Sequence, residues 1–415
     1  MKLNIGEEIE LTIIDLNDQG QGVSKHESQV IFIPNVLIGD HVLVRIIKFN
    51  KNIYHAVVIK KIKEAKTSEL ISCPYYNECG GCHLSHMSYG EQLLFKQNKV
   101  KKIMKKFANL DQNIEILPSV NQFNYRNKVT LKVKGNQLGY YQLKTHQLIA
   151  IEECQLLNSQ LNQLIDLIKQ FINKYPNNNI EEIVIKTTKL KQSMVIIKSN
   201  NFKLKSLLID FIKNTSITID SLYVNDHLIL GKQHIEEIML NKKILISNQS
   251  FFQVNYETAT QIFEYINQLI KPDIMVLDLY SGTGIIAGVI SDKVKQVTGI
   301  EVIESAYLDA DAMAKNNKID NVDFIKGDVD QHLNKIKKLD VDLVIVDPPR
   351  KGLSTGLTNQ LNKLAIKDII YISCDPITLA RDIKLLDNYR VVSMASFDMF
   401  PQTYHVETVV KLSKI

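Results

Sequence analysis

The last third of this 415-residue chain constrains the fold most, because five short apolar runs there alternate with segments of helical pattern. Strands buried on both faces and separated by helices are typical of a doubly wound parallel sheet. We expect these strands at Met275 to Leu279, Val297 to Glu301, Val322 to Ile325, Leu343 to Val346 and Ile369 to Ser373, with an antiparallel pair (Val391 to Phe397 and Glu407 to Leu412) at the edge. The sequence therefore predicts an α/β fold with a Rossmann-like domain over residues 247–415.

The first 63 residues have a different pattern, with short alternating runs such as Val42 to Ile46. Glycine, proline and aspartate separate these runs, as expected for turns between short strands. The pattern predicts a small closed β-barrel over residues 1–63. With its basic tail of Lys60, Lys61 and Lys63, this segment resembles the TRAM domain, an OB-like RNA-binding module. A purely structural barrel is the alternative.

Residues 64–246 mix strand-like runs with helical ones and predict an α+β middle domain. Ser88 and Glu91 have the spacing of a capping box, so a helix should run from Ser88 to about Phe107 and can pack on the C-terminal domain. One face of this helix is apolar, and six lysines occupy much of the rest: Lys96, Lys99, Lys101, Lys102, Lys105 and Lys106. These lysines either follow RNA phosphates or form a solvated surface, and the sequence leaves both readings open.

Composition limits the compartment and the partners. No apolar run approaches the roughly 20 residues of a membrane-spanning helix, and the first residues lack the pattern of a secretory signal. We therefore expect a cytoplasmic protein that has no membrane partner and requires no obligate protein partner. The net charge of +5 is too small to identify a nucleic-acid partner by itself. Five cysteines without an export signal favour metal ligation or catalysis over disulfides.

Acidic side chains and glycines recur where the predicted parallel strands end. The first strand runs into Asp278-Leu279-Tyr280-Ser281-Gly282-Thr283-Gly284, and Glu301, Asp328 and Asp347 close or follow the next three. Open α/β sheets bind ligands at this edge, and an acid at the end of the second strand can accept hydrogen bonds from a ribose. A dinucleotide dehydrogenase competes, but its third glycine is replaced by Ala287. S-adenosylmethionine, a sulfonium cation, fits the acidic strand ends better.

Cys374 follows the fifth strand, in Ile372-Ser373-Cys374-Asp375-Pro376, at the same predicted edge. A single cysteine is more often a small buried apolar residue, but this position favours a nucleophile. One reaction that needs both a thiol and a base is methyl transfer to carbon 5 of uracil. Carbon 5 accepts the methyl group only after a thiolate has added at carbon 6, and a base must then remove the proton from carbon 5. Arg381 is one candidate for stabilising the thiolate. The segment Phe400 to Glu407 offers a histidine and a carboxylate as the base.

Several motifs together resemble the RNA uracil-5-methyltransferase family over nearly the whole chain. They are Asp347-Pro348-Pro349-Arg350-Lys351-Gly352, Ser373-Cys374-Asp375-Pro376, Asp398-Met399-Phe400-Pro401 through His405-Val406-Glu407, Phe251-Phe252-Gln253-Val254-Asn255 and Tyr125-Arg126-Asn127-Lys128. The resemblance implies that Cys374 is the nucleophile and Glu407 the base, with Asp347 in the uracil and cofactor pocket. It also implies that Gln253, Tyr280, Glu301 and Asp328 hold the cofactor.

The other four cysteines suit a metal centre. Cys73, Cys79 and Cys82 lie close in sequence, and Cys154 supplies a fourth thiol from the middle domain. Four thiolates can hold either tetrahedral zinc or an iron–sulfur cluster, and spacing alone does not choose between them. The ribosomal branch of the family has this spacing for a [4Fe–4S] cluster, so the resemblance favours iron. Its expected role is in folding or in positioning the RNA.

These features favour an S-adenosylmethionine-dependent methyltransferase acting on carbon 5 of a uridine in 23S ribosomal RNA. A transfer-RNA uridine is the near alternative, because its methylation would use the same chemistry. An alternative of another class is a non-catalytic, redox-sensing RNA-binding protein with an iron–sulfur centre. The presence of both Cys374 and Glu407 argues against that alternative.

Overall fold

The computed structural model describes residues 3–142, 145–176, 178–332, 340–364 and 366–415. The described residues form an N-terminal six-stranded sheet, a seven-stranded middle sheet, a two-stranded hairpin and a C-terminal eight-stranded sheet. None of the described helices combines the length and the apolar composition needed to cross a bilayer. The predicted order of a β-domain, an α+β segment and an α/β domain is therefore present along the chain.

The N-terminal sheet is curved into a barrel. Its strands are β1 (Glu8–Thr12), β2 (Asp15–Leu16), β3 (Gly22–His26), β4 (Gln29–Ile33), β5 (His41–Asn50) and β6 (Ile53–Lys63), in the order β1-β5-β6-β4-β3-β2. The Ile14 N–H donates to the Val23 carbonyl at 2.9 Å, which joins the end of β1 to β3 and closes the barrel. Gly22 is required there, because a Cβ atom would lie 2.3 Å from Val36 Cγ2.

After the barrel come the cysteine-rich segment, helix α1 (Tyr89–Ala108) and the short strand β7 (Glu115–Leu117). Ser88 caps α1 by accepting a hydrogen bond from the Glu91 N–H, as the sequence predicts. The middle sheet follows, with strands β8 (Lys128–Lys134), β9 (Gln137–Tyr141), β10 (Leu148–Ala150), β11 (Glu182–Thr187), β12 (Ser193–Lys198), β13 (Ser221–Val224) and β14 (His227–Gly231). Helices α2 (Ser159–Lys174) and α3 (Lys205–Lys213) pack their apolar residues against this sheet.

The hairpin of β15 (Ile235–Met239) and β16 (Lys242–Ile246) leads into the C-terminal domain. Seven strands of that domain's sheet are β17 (Met275–Leu279), β18 (Gln296–Glu301), β19 (Val322–Lys326), β20 (Leu343–Val346), β21 (Asp368–Ser373), β22 (Tyr389–Phe397) and β23 (Glu407–Lys414). Its helices are α4 (Tyr256–Leu269), α5 (Ile285–Ile290), α6 (Glu304–Asn316), α7 (Thr355–Lys363) and α8 (Pro376–Leu385). The predicted strands and the antiparallel edge pair are confirmed.

The sheet order is β19-β18-β17-β20-β21-β23-β22-β7, with β17 to β21 parallel. The last strand, β7, comes from the segment that the sequence assigns to the middle domain, and it pairs with β22. The hairpin β15–β16 also packs its apolar residues into the C-terminal core. Helix α1 packs Val100, Ile103 and Met104 against the apolar side of α8. The chain before residue 247 therefore contributes three elements to the C-terminal domain.

A buried lysine connects the middle sheet to the segment that precedes Gln253. Lys186, on β11, donates from Nζ to the carbonyl oxygens of Ser247, Asn248 and Ser250 at 2.8 to 2.9 Å. Asp309 on α6 accepts from the hydroxyls of Ser247 and Ser250 on the other side. These contacts fix the backbone of residues 247–250 where the polypeptide enters the C-terminal domain.

Candidate active site

Six of the predicted catalytic and cofactor-binding residues lie at one edge of the C-terminal sheet, because the parallel strands end there together. The register pairs Leu279 with Ile300 and with Val346, and Val346 with Tyr371. Across the sheet, this edge therefore carries Asp328, Glu301, Tyr280, Asp347 and Cys374, each at or just after the end of a strand. Glu407 joins them because it is the first residue of β23, which is antiparallel to β21.

The glycine loop after β17 has an unusual backbone. Tyr280, Gly282 and Gly284 have φ angles of +64°, +55° and +77°, a region that favours glycine. A Cβ atom at Gly284 would lie 2.6 Å from Phe324 Cζ, whereas Gly282 has no heavy atom within 4 Å of the corresponding position. The loop therefore offers an open backbone surface that a ligand can approach closely.

Glu301 supports this loop from the neighbouring strand. Its carboxylate accepts hydrogen bonds from the backbone N–H groups of Gly282 (2.8 Å) and Ile303 (2.7 Å), and the side chain is buried. Each carboxylate oxygen has a second lone pair, so a ribose can still donate to it. The structure thus gives Glu301 a role in shaping the loop besides the predicted role in binding the cofactor.

Asp278 is the most deeply buried acid of the site, and the sequence did not single it out as a binding residue. Within the described chain, neither carboxylate oxygen has a hydrogen-bond partner of ordinary geometry. The Ala287 N–H makes only a weaker contact with this carboxyl. Burial, together with the nearby Asp347 and Glu301, raises the pKa of Asp278 to about 8. A buried carboxyl without a strong partner is suited to a cation or a hydrogen-bond donor. The signal was its place at the end of the first strand.

Tyr280 and Asp328 lie beside each other at the same edge. Gln253 lies before α4, and a hydrogen bond to its backbone carbonyl fixes its position. Burial, followed by Asp330 and Asp328, raises the pKa of Tyr280 to about 12, so its hydroxyl stays a donor. Asp328 accepts from the N–H groups of Asp330 and Gln331 in the 3₁₀ turn Asp330–His332. The carbonyl of Gln253 accepts from the Asn127 side chain at 2.9 Å.

Cys374 stands between the end of β21 and the start of α8. Asp375 caps α8 by accepting from the Ile377 N–H at 2.8 Å, and Pro376 occupies the first turn. The thiol is half-buried, and burial followed by the negative charge of Glu407 raises its pKa to about 11. The thiol is therefore protonated near neutral pH and requires activation before it can act as a nucleophile.

The buried carboxyl of Glu407 and the half-buried carboxyl of Asp347 form a pair next to this thiol. Burial raises the pKa of Glu407 well above its usual range, and the charge of Asp347 adds to the effect. Burial alone raises the pKa of Asp347 to about 7. Two acids that repel each other in a buried place cannot both ionise easily, so they hold a proton near neutral pH. A carboxyl with a raised pKa is suited to proton transfer.

The cation that acts on the thiol is Arg350, not Arg381. The charge of Arg350 lowers the pKa of Cys374 and also opposes the rise in the pKa of Glu407. Arg381 instead pairs with the buried Asp382 and donates to the carbonyls of Lys351 and Leu353. Arg381 was one candidate from the sequence for stabilising the thiolate, but its side chain holds the loop after β20.

The four remaining cysteines come together between the cysteine-rich segment and the middle domain. The pKa of the Cys79 thiol is raised by burial and then by Cys154 and Cys73, and that of Cys82 is raised to about 12 by burial and then by Cys154. The half-buried Arg126 lowers the pKa values of Cys79, Cys82 and Cys154. Among the described residues, no group of three or more His, Cys, Asp or Glu side chains has the geometry to hold a metal ion.

Comparison with protein families matches residues 88–415 to the tRNA (uracil-5-)-methyltransferase family and residues 2–59 to the TRAM domain. An RNA methyltransferase of Clostridium tetani is 33% identical, with 97% of this chain and 95% of the relative covered. A second RNA methyltransferase, from Fusobacterium nucleatum, is 31% identical over 98% of this chain and 96% of the relative.

A solved structure gives the same result for the fold. The tRNA (uracil-54, C5)-methyltransferase of Pyrococcus abyssi, in complex with S-adenosyl-L-homocysteine, superposes with a TM-score of 0.81 at 28% identity. The match covers 97% of this chain and 99% of that one. With a family model over more than three quarters of its length and relatives above 30% identity, the chain belongs to the RNA uracil-5-methyltransferase family.

Proposed function

We propose that this enzyme methylates carbon 5 of a uridine in 23S ribosomal RNA, with Cys374 as nucleophile and Glu407 as base. The observation that carries the catalytic assignment is the juxtaposition of a half-buried thiol and a buried carboxyl at the edge that holds the glycine loop. Family membership supports S-adenosylmethionine as the methyl donor and RNA uracil as the acceptor.

The residues at this edge fit the cofactor. S-adenosylmethionine, when bound, supplies an electrophilic methyl group and carries positive charge. The Asp278 carboxyl, buried and without a strong partner, suits the cofactor's ammonium group, and Glu301 suits its ribose. Gln253, Tyr280, Asp328 and Asp347 would complete the binding site. A cation near Asp278 and Asp347 would lower the pKa of both carboxyls.

The residues of this chain carry the two steps that the uracil needs. The Cys374 thiolate forms an Sγ–C6 bond, and the electrons of the C5–C6 double bond move towards the C4 carbonyl oxygen, which makes carbon 5 nucleophilic. After carbon 5 has taken the methyl group, the Glu407 carboxylate removes the remaining proton at that carbon. The Sγ–C6 bond then breaks, the C5–C6 double bond forms again, and the thiolate leaves.

Two variants separate these steps. Cys374→Ala should bind S-adenosylmethionine but give no methylated RNA, because no adduct can form. Glu407→Gln should accumulate a covalent protein–RNA adduct, because methyl transfer can occur without release. Methyl labelling and denaturing gels measure the two outcomes.

Turnover by Cys374→Ala would reject Cys374 as the nucleophile. Absence of an adduct in Glu407→Gln would reject Glu407 as the base. A wild-type protein that labels no RNA would favour the non-catalytic alternative.

The protonated thiol predicts a steep pH dependence. Because the pKa of Cys374 is raised to about 11, alkylation of this residue by iodoacetamide should accelerate roughly tenfold per pH unit between about pH 8 and about pH 10. Arg350→Gln removes the cation that lowers the thiol pKa, so alkylation at a given pH should slow several-fold. Mass spectrometry of the Cys374 peptide gives the rates.

Lys351→Gln is the matched control, since Lys351 is also exposed and cationic but is not one of the main groups that shift the thiol pKa. Equal alkylation rates in Arg350→Gln and Lys351→Gln would remove Arg350 from the activation of the thiol.

The choice of 23S ribosomal RNA rests on the four-cysteine set, which resembles the ribosomal branch of the family. A transfer-RNA uridine is the second candidate, favoured by the superposition on the Pyrococcus abyssi enzyme, whose substrate is tRNA uracil-54. We expect deletion of the gene to remove 5-methyluridine from 23S ribosomal RNA and to leave transfer RNA unchanged, as measured by mass spectrometry of both purified RNAs. Loss from transfer RNA alone, or from neither RNA, would overturn the choice.

We propose further that Cys73, Cys79, Cys82 and Cys154 hold an iron–sulfur cluster. Their thiols are close enough to shift one another's pKa. Four thiolates can hold either one zinc ion or a cluster, and the resemblance of this cysteine spacing to that of the ribosomal branch of the family favours the cluster. When bound, the cluster would fix the cysteine-rich segment.

Protein purified without oxygen should contain about four irons and four acid-labile sulfides per chain and absorb visible light. Cys79→Ser should lose the iron and the colour, whereas Cys374→Ser should keep both, because Cys374 lies in the other site. One zinc per chain without sulfide, or equal iron in the two variants, would contradict this assignment.

A further inference from the structure

The loop of residues 398–406, which joins β22 to β23 and leads into Glu407, is held by parts of the chain that lie far away in sequence. Five of its carbonyl oxygens, those of Met399, Phe400, Pro401, Gln402 and Tyr404, accept hydrogen bonds from residues before position 256. The donors are Asn255, Lys96, the Tyr125 hydroxyl, the backbone N–H groups of His83 and Leu84, and Lys99. We call residues 398–406 the base loop.

Helix α1 supplies most of the side chains that hold the base loop. Gln92, Lys96 and Lys99 follow one another at intervals of four and three residues, so they lie on one face of the helix. Lys96 Nζ forms an ion pair with Asp398 and also donates to the Phe400 carbonyl at 3.0 Å. Both charged side chains are fully buried. A buried charge needs a partner, so each of these two groups fixes the place of the other.

Gln92 holds a strained residue of the same loop. Gln402 is buried and has a φ angle of +68°, which is uncommon for a residue with a side chain. The Gln92 amide donates to the Gln402 side chain at 3.0 Å and accepts from its N–H at 2.9 Å. The N–H groups of His83 and Leu84 donate to the Gln402 carbonyl at 2.8 and 3.0 Å. Strained backbone persists only where its surroundings determine it this strongly.

We propose that Lys96 is a positioning residue for the base: through Asp398, and with Gln92 and Lys99, it holds the base loop so that Glu407 faces the methylated carbon. This inference rests on the proposed role of Glu407. Phe397 pairs with Glu407 where the loop meets the sheet. Lys96 holds Asp398, the residue after Phe397, and Ser373 pairs with Thr408, the residue after Glu407. A shift of Asp398 would therefore be transmitted to the base.

Lys96→Met keeps the length of the side chain and removes its charge. In the full-length protein, acting on RNA that lacks 5-methyluridine, we expect kcat to fall by roughly ten- to 100-fold, as for a misplaced catalytic group. The KM for S-adenosylmethionine should stay within about twofold, because the glycine loop is untouched. The covalent RNA adduct should accumulate, since addition and methyl transfer continue while proton removal is slow. A purely structural loss would lower the amount of active enzyme without trapping adduct.

Lys105→Met is the matched control, because Lys105 lies on the same helix, is exposed and pairs with Asp111 at the surface. It should keep full turnover without adduct. If Lys96→Met does not fold, Lys99→Met, which removes the hydrogen bond to the Tyr404 carbonyl and the cation–π contact with the Tyr404 ring, decides by the same adduct measurement. Unchanged turnover, or reduced turnover without adduct, in the folded variant would overturn the inference. If the folded variant gives either of these results while Glu407→Gln still accumulates adduct, the proposed function stands and only the positioning role of Lys96 is rejected.

Discussion

The antiparallel pairing of β21 with β23 is the contact on which the site depends. Ser373 lies opposite Thr408, so the next pair along the same register is Cys374 and Glu407. Cys374, the proposed nucleophile, directly follows one strand, and Glu407, the proposed base, begins its neighbour. Backbone hydrogen bonds between the strands set the separation of these two residues. Because register in a buried sheet is strongly specified, this arrangement places both groups without relying on a flexible loop for both.

Burial raises the pKa values of the acids at this site, so ionising them costs free energy in the ligand-free protein. Asp278, Asp347 and Glu407 all have raised pKa values because they are withdrawn from water next to one another. Their charged forms become favourable when a cation enters, and a sulfonium cofactor with an ammonium group brings positive charge. The site is therefore matched to the bound state: the cofactor would ionise the carboxyls that hold it and prepare Glu407 to accept a proton.

The sequence predicted the local features of this fold and missed its long-range ones. The strands of the C-terminal sheet follow from apolar runs ended by acids and glycines, and Cys374 was found because it follows such a run. The ion pair of Lys96 with Asp398 spans 302 residues, and nothing in the local pattern of α1 distinguishes Lys96 from five other lysines. The two readings left open for that lysine face do not apply to Lys96, which is buried. The effect of Arg350 on the Cys374 thiol and the pairing of β7 with β22 were missed for the same reason: only the folded chain brings these partners together.

The distribution of contacts also shows why the middle part of the chain and the C-terminal domain act as one enzyme. The C-terminal sheet supplies Cys374, Glu407 and the glycine loop, but the carbonyls of the base loop receive hydrogen bonds from the cysteine-rich segment, α1 and the Tyr125 region. Without those donors, a strained residue and a buried Asp398 would lose their partners, and the loop would relax. The cysteine-rich segment reaches the base loop directly through the N–H groups of His83 and Leu84, one and two residues after Cys82. A group bound by these cysteines would thus support catalysis by fixing backbone donors, with no electron transfer required.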